Sequence, residues 1–128
     1  MILSVIKKAV GEALLSTHQH QVGAVIFNKK IVVSSGRNYS CRSAKHLHPR
    51  FMRWQGSIHA EADAIIKARC DLRGYSMFVI RINNNGEFRM ALSCHHCLDY
   101  LAFVGIKKLY FSTNSGTIEQ ISVKGGSN

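Results

Sequence analysis

At 128 residues the chain has the length of one domain, residues 1–128, with a core large enough to fold without staples. An apolar fraction of 46% and a single proline argue against disorder. Lys and Arg number 17 against 7 Asp and Glu, a formal net charge of +10 that favours phosphate-bearing partners, whether a nucleotide or a nucleic acid.

The first twenty residues, MILSVIKKAVGEALLSTHQH, are only briefly apolar and carry Lys7, Lys8 and Glu12, so they are neither a signal peptide nor a membrane span. Ile2, Val5, Ile6, Ala9, Val10, Ala13 and Leu14 recur at helical spacing and predict an amphipathic first helix. With no targeting signal, the expected location is the cytoplasm, where thiols stay reduced. The runs Val22 to Phe27 and Ile31 to Val33 flank Asn28-Lys29-Lys30 and predict a hairpin. RNYSCRSAKHLHPRFMRWQG has no clean period and predicts a long loop, of the kind that is usually functional. This region is strongly basic, because no acid occurs between Glu12 and Glu61. Arg42, Lys45, Arg50 and Arg53 are therefore candidate phosphate contacts, set against the plainer reading of a solvated basic surface.

Residues 58–70, IHAEADAIIKARC, are alanine-rich and predict a helix capped by Ser57. YSMFVIRI predicts a strand, NNNG a tight turn and EFRMAL a return segment. CHHCLDYLAFVGI predicts a helix, KKLYFST a strand, NSG a turn and TIEQISV a last strand. The order helix, hairpin, helix, strand, helix, strand, strand predicts an α/β layer sandwich with a mixed sheet. The two inner helices begin near Ser57 and Cys94, at the kind of helix start that lines a ligand crevice in open α/β sheets.

Chemistry concentrates in LSCHHCL. Cys94 and Cys97 form a C-x-x-C at a helix start, where unpaired N–H groups and the helix dipole favour thiolates. That suits a redox pair or a zinc site, although redox dithiols usually follow the first strand of a βαβ unit and this pair lies late in the chain. A four-ligand structural zinc wants a second close pair, and none exists. Cys41 and Cys70 are isolated and read as buried small apolar residues, while Cys41, His46 and His48 leave a second metal open. A catalytic zinc needs three protein ligands and an open position. His59, at the start of the other inner helix, can supply the third, and Glu61 follows two residues later. Two residues so spaced within a regular helix point about 200° apart, so both face one ion only in a distorted first turn.

HAE followed by a later C-x-x-C resembles the zinc-dependent cytidine and deoxycytidylate deaminase superfamily, whose signature is H-x-E with P-C-x-x-C. VGAVI (residues 22–26), GRN (residues 36–38), GYSMFVIRI and VGIKKLYFST are similar to that family's first strand, G-x-N element, third strand, and helix exit with fourth strand. The resemblance implies a three-layer α/β/α sandwich with a mixed five-stranded sheet. It implies that His59, Cys94 and Cys97 bind Zn2+ and that Glu61 moves protons between a zinc-bound water, the ring nitrogen and the leaving ammonia. Asn38 would hydrogen-bond the sugar, and the backbone of Ala60, Leu92 and Ser93 would hold the base edge. Ser93 departs from the family's proline. The function so implied is hydrolytic deamination of cytosine in a small nucleoside or nucleotide, in a homo-oligomeric enzyme. A polynucleotide deaminase, suggested by the basic charge, and a zinc-stabilised binding module without catalysis remain as alternatives, and adenine remains open as the target base.

Overall fold

The computed structural model describes residues 3–16, 20–40, 57–93 and 95–123. Outside them lie residues 41–56, which include the phosphate candidates Arg42, Lys45, Arg50 and Arg53 and the second-metal candidates Cys41, His46 and His48, and also Cys94.

The described chain runs α1 (Leu3–Leu15), β1 (Gln21–Asn28), β2 (Ile31–Arg37), β3 (Tyr39–Ser40), β4 (Ser57–Ile58), α2 (Ala60–Ala68), β5 (Ser76–Ile82), β6 (Phe88–Arg89), α3 (His95–Val104), β7 (Lys108–Ser112) and β8 (Ile118–Ser122). The sheet has the order β2-β1-β5-β7-β8, with β6 pairing the end of β5, and β3 and β4 form a separate pair. Only β5 and β7 are parallel; the other pairs are antiparallel. The parallel pair requires a crossover, and α3 provides it. The expected mixed sheet is present, and the expected return segment contributes to it a sixth, two-residue strand, β6.

Side-chain alternation divides the sheet into two buried faces. Val25 and Phe27 of β1 and Phe78, Ile80 and Ile82 of β5 pack against Val5, Ala9 and Ala13 of α1. Ala24, Ile26, Met77, Val79, Leu109 and Phe111 pack on the other side with Ala60, Ala62, Ala64 and Ile65 of α2 and Tyr100 and Leu101 of α3. The result is three layers. No described helix is long and apolar enough to cross a membrane.

Three local expectations need correction. First, α2 begins at Ala60 rather than residue 58, its N-cap is His59 without a side-chain cap bond, and Ser57 belongs to β4. Pairing of Tyr39–Ser40 with Ser57–Ile58 keeps the chain extended up to the helix start. Second, β2 continues past Val33 to Arg37. Its polar end, Ser34-Ser35-Gly36-Arg37, lacks the alternating apolar residues that mark a strand, because the packing there is made by small groups. The Ser34 hydroxyl donates to the Ala64 carbonyl at 2.7 Å, and a Cβ on Gly36 would overlap the Ala64 amide nitrogen. Third, Cys70 is exposed rather than buried, since Arg69, in the left-handed region at φ 52°, turns the chain off the packed face of α2.

Candidate metal and catalytic site

The local backbone answers how His59 and Glu61 can serve one place. His59 is extended, φ −77° and ψ 150°, and stands outside the helix as its N-cap. The divergence of about 200° between residues two apart applies within a regular helix and not across this junction. Glu61 is the second residue of α2 and is 6% exposed. An anionic side chain in the first helical turn is favoured by the helix dipole. Ala60, between them, is fully buried.

Cys97 lies in the first turn of α3 and is 1% exposed. Its Sγ stands 3.3 Å from His59 Nδ1. Two donors on one tetrahedral zinc, with bonds of about 2.0 Å to nitrogen and 2.3 Å to sulfur, would stand about 3.5 Å apart. The imidazole and the thiol therefore have the chemistry and the spacing of neighbouring ligands. Among the described residues no group of three metal donors occurs, and the third donor expected here, Cys94, lies outside them.

The approach to α3 is fixed by the sheet. The Ala91 N–H donates to the Ser112 carbonyl at 3.0 Å, and the Met90 N–H to Asn114 Oδ1 at 2.8 Å. Leu92 is exposed, whereas Ser93 is buried, and its hydroxyl is the one buried side-chain oxygen or nitrogen among the described residues without a hydrogen-bond partner.

Asn38 is buried and tied into the α1–β1 connection. Its Oδ1 accepts from the Ser16 hydroxyl at 2.6 Å and the Val22 N–H at 3.0 Å, and its Nδ2 donates to the His20 carbonyl. The amide assigned to a sugar is thus also a structural joint. Two acids that the motif reading passed over secure the end of β2. Asp63 accepts the Arg37 N–H at 3.0 Å and pairs with Lys67 at 2.9 Å. Glu12, on the opposite layer, accepts from the Ser35 hydroxyl and pairs with the Arg37 guanidinium at 3.2 Å. For Asp63 the i,i+4 spacing to Lys67 was a readable signal; for Glu12 the only hint was an acid close to the apolar stripe of α1.

A family model described as the cytidine and deoxycytidylate deaminase zinc-binding region matches residues 2–113, and the chain belongs to that family. Among solved structures, the cytidine deaminase from Burkholderia pseudomallei is similar with a TM-score of 0.67 and 15% identity, over 96% of this chain and 94% of the other. The cytidine deaminase from Mycobacterium leprae gives a TM-score of 0.58 at 21% identity, over 91% and 90% of the two chains. The dCMP deaminase from the cyanophage S-TIM5, in complex with dCMP and dUMP, gives 0.54 at 18% identity, over 87% and 82%. At these identities the likeness concerns the fold, which is that of the cytidine deaminases. No curated protein matches the chain by sequence.

Proposed function

We propose that the protein hydrolyses the exocyclic amine of cytosine in a nucleoside or nucleotide, giving uracil and ammonia. The observation that carries this reading is the approach of His59 Nδ1 to Cys97 Sγ at 3.3 Å, with the buried Glu61 in the first turn of the helix that His59 caps. His59, Cys97 and Cys94 would hold zinc, the metal of the family. When bound, zinc supplies the Lewis acidity that eases deprotonation of water at neutral pH.

Glu61 is the proton carrier. Its carboxylate takes a proton from the attacking water and delivers it to ring N3, and a second transfer reaches the amino group as it leaves. The C4–O bond forms and the C4–N bond breaks, so one water is consumed for each ammonia released. Burial of Glu61 and Ala60 keeps bulk water from this exchange, and the backbone of Leu92 and Ser93, on the approach to α3, would hold the base edge. Positioned acid–base groups of this kind contribute about 10²–10⁴-fold.

The test is ammonia release from cytidine, deoxycytidine and their monophosphates by zinc-loaded wild type and by Glu61→Ala. The variant should keep its zinc and lose about 10²–10⁴-fold in kcat. Turnover unaffected by the substitution overturns the assignment. Bound zinc with no ammonia from any cytosine or adenine substrate would instead identify a binding module.

A further inference from the structure

Asn38 shares its level of the sheet with two arginines. The Asn38 N–H donates to the Val22 carbonyl, Val22 stands opposite Arg81, and Arg81 stands opposite Arg89. With strands about 4.8 Å apart, Asn38 and Arg81 are separated by roughly 10 Å along this row. Ile80, Ile82 and Phe88 belong to the α1 face, while Met77 and Val79 belong to the opposite one. Alternation therefore puts Arg81 and Arg89 on the face where α2 and α3 pack. They lie at the carboxyl end of β5, the end at which open α/β sheets take ligands.

The pair is held from below. The buried Ser112 hydroxyl accepts the Arg81 N–H at 3.1 Å and donates to the Arg89 carbonyl at 2.7 Å. Like charges directly opposite on a strand pair destabilise it, and here their balance is unequal. Arg89 approaches Glu87 at 3.6 Å. Arg81 makes no ion pair among the described residues; its guanidinium donates to His20 Nδ1 at 2.9 Å. His20 is itself fixed through its carbonyl, which accepts from Asn38 Nδ2. A dianion between the guanidinium groups would remove the repulsion and gain charge-assisted hydrogen bonds of the kind arginine makes with phosphate.

We propose that Arg81, Arg89 and His20 form a phosphate subsite beside the deamination centre, so that the substrate is a pyrimidine nucleoside monophosphate rather than a free nucleoside. The deaminase reading supplies the base in this proposal; phosphate binding itself does not depend on turnover.

Calorimetric titration of the zinc-loaded protein with the products UMP and dUMP, and with uridine and deoxyuridine, reads the subsite without catalysis. Wild type should bind the better monophosphate at least about tenfold tighter than its nucleoside, and Arg81→Gln should lower that ratio about tenfold or more. Arg81→Lys should restore part of it, and melting curves should show both variants folded. Oligodeoxycytidylate forms the phosphodiester arm, for which weak binding is expected. Tight oligonucleotide binding with a steep salt dependence overturns the proposal. So do equal wild-type affinities for nucleotide and nucleoside, undetectable UMP and dUMP binding, or a ratio untouched by Arg81→Gln. If those results come with ammonia release from cytidine or deoxycytidine, the subsite alone is lost; an intact subsite with no deamination of any substrate removes the reaction alone.

Discussion

Ser93 stands one residue before the first cysteine of the C-x-x-C, where the family pattern has proline. Its hydroxyl is buried and has no hydrogen-bond partner among the described residues. A buried donor left unsatisfied costs about 1–3 kcal/mol. Ser93→Ala should therefore leave the zinc-free protein equally stable or stabilise it by roughly 1 kcal/mol, read by urea or thermal unfolding. A loss of 2 kcal/mol or more would mean that the hydroxyl has a partner after all. At this scale the motif residues were the readable part. His59 and Glu61 were marked by H-x-E and Cys97 by C-x-x-C, because ligand chemistry leaves few residue types to choose among. The unsatisfied hydroxyl of Ser93, the joint at Asn38 and the acid pair Glu12 and Asp63 follow from three-dimensional neighbours, which one-dimensional spacing does not contain.

Elements were legible where a period or a turn residue spoke for them. The apolar runs of β1 and β5, the helical period of α1 and the turn ending in Gly86 (φ 79°) read correctly from sequence, although Leu14 of the expected apolar stripe is exposed. The polar half of β2 did not, since its partner is a helix backbone rather than a layer of large apolar side chains. Two glycines test that explanation. Gly36 lies under α2, where an added Cβ would overlap Ala64 N and come within 2.8 Å of the Ala60 carbonyl oxygen. Neither neighbour is a flexible side-chain end, so Gly36→Ala should destabilise by about 1–3 kcal/mol or more and loosen the helix that begins beside His59. Gly11 sits inside α1 with nothing within 4 Å of an added Cβ. Gly11→Ala should then stabilise by about 0.5–1 kcal/mol through helix propensity. Chemical denaturation of both variants measures the contrast, and equal effects of one sign would contradict the packing given for β2.

For the molecule as a whole, His59 and Cys97, two side chains with metal-donor chemistry, lie at the starts of different helices, whereas the layers are held by an extensive core on both faces of the sheet. That arrangement decides how zinc should enter the stability. Small zinc domains are unfolded without metal, because the ion replaces a core they lack. Here α2 and α3 already pack on Ala24, Ile26, Met77, Val79 and Leu109, and Arg37 joins the outer layers by pairing with Glu12 on one side and donating its N–H to Asp63 on the other. Chelated protein should accordingly stay folded, with a lower Tm. An ion bound only by the folded state stabilises it in proportion to ln(1 + [Zn]/Kd), about 1.4 kcal/mol for each tenfold rise in free zinc above Kd. For a domain of this size that corresponds to roughly 5 °C per decade. Cys97→Ser and His59→Ala should each flatten this dependence, because either removes one of the two donors that stand 3.3 Å apart. A Tm in either variant that climbs with zinc as steeply as in wild type would place the ion somewhere other than between His59 and Cys97.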